Sequence, residues 1–219
     1  PQKQLVTGGY YRLERIYDKC KKYLRTPSSE KYKVTVLIAP SWGKGNILES
    51  FGELLVAMLL DRDFNVIIRP HPETVKRTPE LLDAIKEKYG DNKALTIESS
   101  VTTDDALLKS DVLICDCSGV ALEYAFGTER PVLFLDVPLK IRNENYRELG
   151  IKPVELFLRS ELGVIVSPEK MESVPERIET LILEKEKYGE RISLLREKYV
   201  YVFGRSSQVG AEHILDRIK

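Results

Sequence analysis

The feature that most constrains the fold is a regular alternation of short apolar runs with longer segments whose apolar residues recur every three or four positions. The short runs have the length of β-strands, and the longer segments have the periodicity of amphipathic helices. Strands that alternate with helices build a parallel sheet covered by helices on both faces. The sequence therefore predicts an α/β fold with a Rossmann-like parallel sheet.

The pattern places seven strands and seven helices along the chain. The strands are predicted at Leu5–Thr7, Val34–Ala39, Asn65–Arg69, Leu95–Ile97, Val112–Asp116, Val132–Leu135 and Val164–Val166. The helices are predicted at Arg12–Leu24, Ile47–Leu60, Thr78–Tyr89, Val120–Phe126, Pro175–Tyr188, Ile192–Phe203 and Ser206–Ile218. Thr78 precedes Pro79 and is expected to cap its helix. With no internal repeat, residues 1–219 are predicted to form a single domain.

Composition limits the partners that the chain needs. Of 219 residues, 42% are hydrophobic, which is enough for an ordinary soluble domain with its own core. Lys and Arg total 34, as do Asp and Glu, so the formal net charge is zero. A neutral chain has no general attraction for polyanions. We therefore expect no nucleic-acid partner, and no docking of this part of the protein on an anionic membrane.

The three cysteines are Cys20, Cys115 and Cys117. An odd number, with two on one predicted strand, is typical of a reduced cytoplasmic protein and not of a disulfide scaffold. Two thiols one residue apart, without a second pair or a nearby histidine, match no structural zinc pattern. We expect buried strand thiols and no metal site.

The chain ends and the apolar runs bear on localisation. No segment resembles a signal peptide, and no apolar run approaches the roughly 18 residues of a membrane span. The first residues, Pro1–Gly9, resemble the middle of a strand-to-turn transition. We therefore expect a cytoplasmic fragment of a larger protein, whose remainder could sit at the cytoplasmic face of a membrane.

The segment Arg69-Pro70-His71-Pro72 directly follows an apolar strand. The two prolines lie beyond the strand ladder, where a missing N–H costs little, and they stiffen the turn. A fixed imidazole beside a guanidinium can donate to phosphate oxygens and offset charge on a leaving phosphate. His71 and Arg69 are the candidate catalytic residues, and the alternative is a rigid turn with an exposed histidine. The other histidine, His213, is expected to be a surface or packing residue.

A second polar corner follows the strand at Val112, in the segment Cys115-Asp116-Cys117-Ser118-Gly119. A small hydroxyl and a glycine at a helix start leave backbone N–H groups facing an anion, aided by the helix dipole. Ser118 is the best candidate for phosphate contact, although a plain helix cap would also explain it. Glu123, one turn into the helix, could accept from both ribose hydroxyls, or be a solvated helix residue.

Two further turns carry candidate binding residues. Ser41 and Trp42 follow the strand at Val34 and could line the same crevice, although a Trp that anchors the loop is an equal alternative. Ser206 and Ser207 begin the last helix, a second position suited to an anion, where a simple cap role for Ser206 is slightly favoured.

Several familiar motifs are missing from the sequence. There is no Gly-x-Gly-x-x-Gly after a strand and no Walker-type lysine loop, which argues against nicotinamide and ATPase chemistry. There is also no Gly-x-Ser-x-Gly elbow for an acyl-transfer serine.

Together these segments resemble the CDP-glycerol glycerophosphotransferase family, the teichoic-acid-type polymerases and primases. Gly9 to Glu14 is similar to the family's Gly-x-Pro-Arg-x-Asp segment, and Ala39 to Trp42 is similar to Ala-Pro-Thr-Trp. Arg69-Pro70-His71-Pro72 matches the family motif outright. The stretch 111–131 resembles Asp-x-x-x-x-Asp-Tyr-Ser-Ser followed by Glu-Tyr and Lys-Pro; Asp116, Ser118, Glu123, Tyr124 and Pro131 are in step, whereas Cys117 and Gly119 depart from it.

The resemblance implies the donor-binding, C-terminal half of a GT-B glycosyltransferase fold. It implies that His71 and Ser118 contact the donor diphosphate and that Glu123 holds the ribose. Asp116 and Ser41 join the substrate-binding candidates through the matching segments, whereas Gly119 is a candidate from its place at the helix start. Gly204 to Gln208 resembles the family's late Gly-x-Ala-Ser segment, which adds Ser206 and Ser207.

The function expected on this basis is transfer of a polyol phosphate from a CDP-linked donor to an acceptor hydroxyl in cell-surface polymer synthesis. The acceptor, a polyol phosphate or glycan, would bind largely to a missing N-terminal domain, so this fragment is expected to be inactive alone. Alternatives are a UDP-sugar glycosyltransferase or 2-epimerase and a non-catalytic nucleotide-binding module. No cofactor is required, although a divalent cation could accompany the diphosphate.

Overall fold

The computed structural model describes residues 5–25, 33–100, 102–139, 141 and 143–218. Within these residues the chain forms a six-stranded sheet in which every pair of neighbouring strands is parallel. The strands are β1 (Thr35–Ile38), β2 (Asn65–Ile68), β3 (Leu95–Ile97), β4 (Val112–Cys115), β5 (Val132–Leu135) and β6 (Gly163–Val166). The predicted Rossmann-like fold class is confirmed.

The order of the strands creates one crevice. The sheet runs β3-β2-β1-β4-β5-β6, so the chain progresses outward to one side from β1 and to the other side from β4. Loops that leave two such strands diverge and leave an opening at their carboxyl ends, where open α/β sheets bind ligands. The segments that follow β1, β2 and β4 are the three that the sequence marks with polar residues.

Helices cover both faces of the sheet. They are α1 (Tyr11–Leu24), α2 (Ile47–Asp61), α3 (Pro72–Arg77), α4 (Glu80–Tyr89), α5 (Asp105–Lys109), α6 (Val120–Thr128), α7 (Val154–Phe157), α8 (Arg159–Leu162), α9 (Val174–Leu183), α10 (Lys185–Tyr199) and α11 (Ser206–Ile218). Helices α1, α5, α6 and α10 contact one another on one face, and α2 and α4 pack together on the other. No helix in the described part of the chain combines the length and apolar composition that crossing a membrane requires.

The core explains the near-continuous apolar runs of the strands. All four residues of β4 and all four of β5 are buried, as expected for strands covered on both faces. Tyr124 of α6 is fully buried, and its hydroxyl donates to the Ser110 carbonyl at 3.0 Å. At Gly127 a Cβ would lie 2.6 Å from Ile16 Cγ2. Only glycine therefore lets α1 and α6 approach this closely.

Several predicted boundaries are wrong. Residues Leu5–Thr7 form no strand; Leu5 is 96% exposed, so no burial compensates the cost of ordering it. The predicted break after Tyr188 lies instead at Glu184, because Gly189 continues α10 where it packs near the Glu129 carbonyl. Helix α10 ends at Tyr199 and not at Phe203.

The helix starts also differ from the prediction in two places. Thr78 does not cap α4; its hydroxyl donates to the Thr74 carbonyl at 3.3 Å, at the end of a short helix that the sequence pattern missed. That helix, α3, begins at Pro72 inside the segment predicted as a turn. Helix α5 was also missed, because five residues are too few to show helical periodicity.

Candidate functional site

Three loops from the carboxyl ends of neighbouring strands meet around one cavity. The loops follow β1, β2 and β4, and the cavity, called here the main cavity, has a volume of about 490 Å³. It lies at the switch point of the sheet, where a crevice is expected. Its lining consists of Ser41, Trp42, His71, Asp116, Cys117, Ser118, Gly119, Val137, Pro138, Leu139, Ile141, Asn143, Tyr146, Pro153 and Leu156.

Asp116 connects the β4 loop to the β1 loop. Its side chain is buried, with Oδ1 accepting from the Ser41 backbone N–H at 2.8 Å and Oδ2 accepting from the Ser41 hydroxyl at 2.8 Å. Both carboxylate oxygens are therefore engaged by one residue. Asp116 and Ser41, two predicted binding residues, lie together in the wall of the main cavity.

His71 is held at the start of α3 on two sides. Its Nδ1 accepts from the Glu73 backbone N–H at 3.1 Å, so the imidazole itself caps the helix. Pro72 occupies the first helical position, where the absence of an N–H does no harm. The ring stacks on Trp42 with centroids 5.9 Å apart and planes 29° apart. Because Nδ1 accepts, the neutral ring carries its hydrogen on Nε2.

The β4 loop brings Ser118 and Gly119 to the main cavity, immediately before the nine-residue helix α6. The residue before the helix is Gly119, and no side chain caps the helix start. A Cβ at Gly119 would meet nothing within 4 Å, which shows that this position faces open space. Cys117 is exposed, so the prediction of a buried strand thiol is wrong there: β4 ends at Cys115.

Another part of the main cavity's lining was not predicted. It is formed by the segment between β5 and α7, which contributes apolar residues together with Asn143 and Tyr146. The sequence signal was the length of this connection, which contains one short 3₁₀ helix, Glu144–Leu149, because connections this long in compact domains are uncommon and often functional.

Arg69 lies beneath the loops and does not line the main cavity. It is 5% exposed, and its Nη2 donates to the Thr103 carbonyl at 3.1 Å. Burial lowers the pKa of this guanidinium from its ordinary value. The structure therefore does not place Arg69 beside His71 in the cavity wall, although the two residues are neighbours in sequence.

Glu123 lies one turn into α6, in the wall of a second cavity of about 390 Å³ that shares Gly119 with the main cavity. Its Oε2 accepts from Arg12 Nε at 2.9 Å, and its Oε1 accepts from the Tyr10 hydroxyl. Burial and the hydrogen bond to Glu123 raise the pKa of Tyr10 to about 12. The carboxylate is thus held by two residues at the start of α1.

Arg12 contacts both Glu123 and Asp104. We call Asp104 together with Arg12, Arg15 and Lys19 the Asp104 cluster. Asp104 is 1% exposed and lies 3.6 Å from Arg12, 3.4 Å from Arg15 and 2.8 Å from Lys19. Burial alone would raise the pKa of Asp104, but the Lys19 hydrogen bond and the three positive charges outweigh it and hold the pKa below its ordinary value. Sequence reasoning missed this cluster, since its members lie on α1 and before α5.

Ser206 and Ser207 are not brought to the main cavity. Ser206 begins α11, and its backbone N–H donates to Glu14 Oε1 at 3.1 Å; the Gly204 N–H donates to the same oxygen at 2.8 Å. A carboxylate of α1 therefore occupies donors that an anion would use. Ser207 lines a separate surface depression next to α1.

The part of the chain that the structure describes contains no group of three or more His, Cys, Asp or Glu side chains arranged to hold a metal ion. Cys20 and Cys115 are free thiols, and Cys115 is buried on its strand as predicted; Cys20 is buried as well. Burial raises the pKa of both thiols, which keeps them protonated and poor metal ligands.

The parallel sheet with its crevice at the β1–β4 switch point defines the kind of α/β domain that forms one half of GT-B glycosyltransferases. Solved structures share this fold. A variant of the wall teichoic acid polymerase TagF matches with a TM-score of 0.57 and 20% identity, covering 97% of this chain and 52% of that chain. A TagF structure described as soaked with CDPG matches at 0.55 and 18% identity, with coverages of 98% and 52%.

Epimerases share the fold as well. The UDP-GlcNAc 2-epimerase of Neisseria meningitidis, bound to UDP-GlcNAc, matches with a TM-score of 0.54 and 15% identity, covering 99% of this chain and 56% of that chain. The chain thus spans about half the length of these structures. A comparison with curated protein sequences found no match.

The family model decides between these relatives. The chain belongs to the CDP-glycerol:poly(glycerophosphate) glycerophosphotransferase family, whose model matches residues 2–215. The predicted family is confirmed, and the epimerase alternative is not favoured.

Proposed function

We propose that this domain binds a CDP-linked polyol donor in the main cavity and, in the complete protein, supports transfer of the polyol phosphate to an acceptor hydroxyl. The observation that carries the proposal is the convergence of His71, Ser118 and Gly119 from two separate loops on one cavity. The family match and the TagF structure soaked with CDPG support the choice of donor.

The start of α6 suits the donor diphosphate. Backbone N–H groups in the first turn of a helix lack intrahelical acceptors, and the helix dipole favours an anion there. Gly119 allows a phosphate to come close, because no Cβ stands in front of the helix start. The Ser118 hydroxyl adds a side-chain donor at the same edge of the cavity.

His71 would act on the charge that develops during transfer. With Nδ1 accepting from the Glu73 backbone N–H, the neutral imidazole carries its hydrogen on Nε2, and this N–H group is the one that can donate to a phosphate oxygen. The acceptor oxygen forms a bond to the β-phosphorus while the bond from that phosphorus to the bridging oxygen breaks. CMP leaves with the electron pair, and the acceptor's proton passes to a base or to water. A hydrogen bond that strengthens as CMP departs lowers the barrier to this step.

Glu123 would hold the ribose from its position next to Gly119. Tyr10 and Arg12 each use one of its oxygens, but a carboxylate oxygen accepts more than one hydrogen bond. The carboxylate can therefore receive ribose hydroxyls while Arg12 keeps it in place. Arg69, which is buried below the loops, would contribute positive charge at a distance and not a direct contact.

The rest of the protein completes the reaction in this proposal. The chain covers 52% of TagF, so an acceptor site and the base belong to the remainder. The setting is synthesis of a teichoic-acid-like polymer at the cytoplasmic face of the membrane. A divalent cation would accompany the diphosphate as part of the donor.

Isothermal titration of this chain with CDP, UDP, ADP and GDP tests the binding step. We expect preferential binding of CDP, weakened in His71→Asn, because asparagine still caps a helix but lacks the imidazole donor. His213→Asn is the matched control, because His213 is the other histidine of the chain and lies on α11. Equal binding of all four nucleotides, or none, would contradict a CDP-donor site.

Product analysis of the complete protein tests the reaction. With CDP-glycerol and an acceptor, we expect release of CMP, and a drop of about 10²- to 10³-fold in kcat for His71→Asn. An epimerised sugar from UDP-GlcNAc, or UDP release from a UDP-sugar, would overturn the proposal in favour of the alternative enzymes. Nucleotide binding without any turnover would point to a non-catalytic module.

A further inference from the structure

We propose that the loop Ser41–Trp42 is a positioning element for His71, and that Asp116 acts on the imidazole through this loop without touching the donor. The role of His71 in transfer rests on the proposed function, but its positioning can be measured without any ligand. Asp116 and Ser41 then belong to the support of the site, and not to its contacts with substrate.

The first link joins Asp116 to the loop. Asp116 is 1% exposed, and it receives two hydrogen bonds of 2.8 Å from Ser41, one from the backbone and one from the hydroxyl. Hydrogen bonds to a buried charged group are among the stronger ones, and two of them fix both position and rotation. With both oxygens engaged, the carboxylate holds the β1 loop against the β4 loop.

The second link joins the loop to the imidazole. Trp42, directly after Ser41, stacks on His71 with a centroid separation of 5.9 Å and an interplanar angle of 29°. Arg77 Cζ lies 5.7 Å from the centroid of the same indole ring, and Arg77 is paired with Glu73. The indole is therefore fixed by groups from α3 as well as by its own loop.

The third link restricts rotation of the His71 ring. A stacked ring can still turn over and exchange its two nitrogens, and the Glu73 N–H bond to Nδ1 opposes this exchange. Stacking and the hydrogen bond together select one orientation and one tautomer. The result is an Nε2–H donor in a constant position, which transition-state stabilisation requires, because a misplacement of about 1 Å can cost about 10²-fold in rate.

This arrangement predicts an effect at a distance. Asp116 lies on the β4 loop and His71 on the β2 loop, and the Ser41–Trp42 loop of β1 connects them across the switch point. Weakening the hydrogen bonds between Asp116 and Ser41 should therefore change the position of the His71 imidazole, although the described side-chain hydrogen bonds of Asp116 are to Ser41 and not to His71. A role of Asp116 in substrate contact alone would leave the imidazole of the free protein unchanged.

Heteronuclear NMR of the imidazole groups in this chain, without ligand, is the primary test. The chain has two histidines, so the His71 signals are assigned by comparison with His71→Asn. In the wild type we expect the ¹⁵N shifts of an Nε2–H tautomer and ring protons moved upfield by the indole. Trp42→Ala should abolish the upfield shift, and Ser41→Ala and Asp116→Asn should reduce it while Trp42 is still present.

Asp111→Asn is the matched control. Asp111 stands at the opposite end of the same strand, where its Oδ2 accepts from the Thr35 backbone N–H of β1 at 2.9 Å. Asp111 thus links the same two strands at the end away from the cavity. We expect the His71 signals of Asp111→Asn to equal those of the wild type. Unchanged signals in both Ser41→Ala and Asp116→Asn, with the fold intact by circular dichroism, would overturn the proposal. Ser41→Ala keeps the backbone bond to Asp116 and so guards against a variant that simply fails to fold.

Kinetics of the complete protein add a second readout. Trp42→Ala should lower kcat by about 10- to 10²-fold with little change in KM, and Trp42→Phe should recover most of the loss by restoring a stacked ring. A rise in KM with unchanged kcat would make Trp42 a substrate contact and contradict positioning. If the NMR results hold but no CDP-linked donor is used, the positioning is correct and the proposed function is the part that fails.

Discussion

The main cavity and the Asp104 cluster are both connected to the first turn of α6, through Gly119 and Glu123 respectively, and they use polar side chains in opposite ways. In the cluster, one buried carboxylate meets three cations within 3.6 Å, and its pKa is depressed as a result. In the main cavity, the one carboxylate among the described lining residues, Asp116, accepts from an uncharged serine. The cluster is the more charged region, yet the cavity is the one with open volume.

The difference shows where charge is useful in a site for an anion. Opposite charges that are already paired satisfy one another and need no ligand, and removing one partner leaves the others uncompensated. A cavity walled by backbone N–H groups, a hydroxyl and an imidazole leaves the ligand to supply the charge. The depressed pKa of Asp104 thus marks a paired cluster outside the lining of the main cavity, although perturbed pKa values often mark functional sites.

The largest effect on ligand binding should come from a side chain placed in the open position at Gly119, at the start of α6. Gly119→Val places a branched side chain in the cavity, where nothing lies within 4 Å of the new Cβ, so the fold should persist. We expect CDP affinity to fall by about 10- to 10²-fold, since hydrogen bonds to a charged group contribute about 1.5–3 kcal/mol. Calorimetry measures the loss, with Gly210→Val on α11 as the control. Full CDP affinity in Gly119→Val would place the diphosphate elsewhere.

A packing change should affect the side of α1 and spare the cavity. In Gly127→Ala the added Cβ meets Ile16 at 2.6 Å and forces α1 away from α6. Overpacking of this kind costs about 1–3 kcal/mol in the free energy of unfolding. Urea denaturation should show this loss, whereas Gly210→Ala, where no atom lies within 4 Å of the new Cβ, should not destabilise the protein. Equal stability of both variants would mean that α1 shifts without cost.

The contribution of the Asp104 cluster to the stability of the protein should depend on pH. The folded pKa of Asp104 is depressed, so its contribution is present above the unfolded pKa of about 3.9 and is lost as pH falls through the folded value. Asp104→Asn should therefore destabilise by about 1–2 kcal/mol at neutral pH, a figure reduced for the partly exposed cations. The difference in the free energy of unfolding between Asp104→Asn and the wild type should close below about pH 4.

Asp105→Asn is the control for this experiment, because Asp105 is the neighbouring residue and is exposed. Denaturation curves measured from pH 7 to pH 3 compare the three proteins. A gap between Asp104→Asn and wild type that stays constant across this range would mean that the carboxylate charge is not what stabilises the cluster.

The smallest expected effect is at Tyr10, whose hydroxyl donates to Glu123 near both regions. Tyr10→Phe removes the hydroxyl that donates to Glu123 but leaves the Arg12 contact at 2.9 Å. Since the pair is partly exposed, we expect a loss of about 0.5–1 kcal/mol in stability and a change in CDP affinity of less than about tenfold. Tyr11→Phe, in the neighbouring exposed residue, is the control. A larger loss of affinity in Tyr10→Phe would make Tyr10 a contact of the nucleotide.

The sequence predicted the strands better than the helices. Six of the predicted strands are present, because runs such as Val112–Ile114 are buried on both faces and must be apolar throughout. The seventh, at Leu5, failed because an apolar residue forms a strand only where a neighbouring strand and a covering layer exist. Short helices such as α3 and α5 could not be predicted, since their residues are fixed by capping and by their neighbours.

The candidate site was predicted in part. His71, Ser118, Gly119, Ser41 and Asp116 lie together because each follows a strand whose carboxyl end faces the same crevice, a relation that the sequence pattern contains. The pairing of Asp116 with Ser41 spans 75 residues and depends on the order of the strands, which no local pattern encodes. The wall between β5 and α7 and the burial of Arg69 were missed for the same reason.

The sequence by itself determined the alternation of strands and helices, the apolar core, the family, and which turns carry hydroxyl, glycine and imidazole groups. These are local properties, set by periodicity and by residue chemistry within a few positions. Only the tertiary structure decided which polar groups meet: Trp42 on His71, Asp116 on Ser41, and Asp104 among three cations. Such contacts join residues far apart in the chain, and they exist because the strand order and the packing of α1 on α6 bring those residues together.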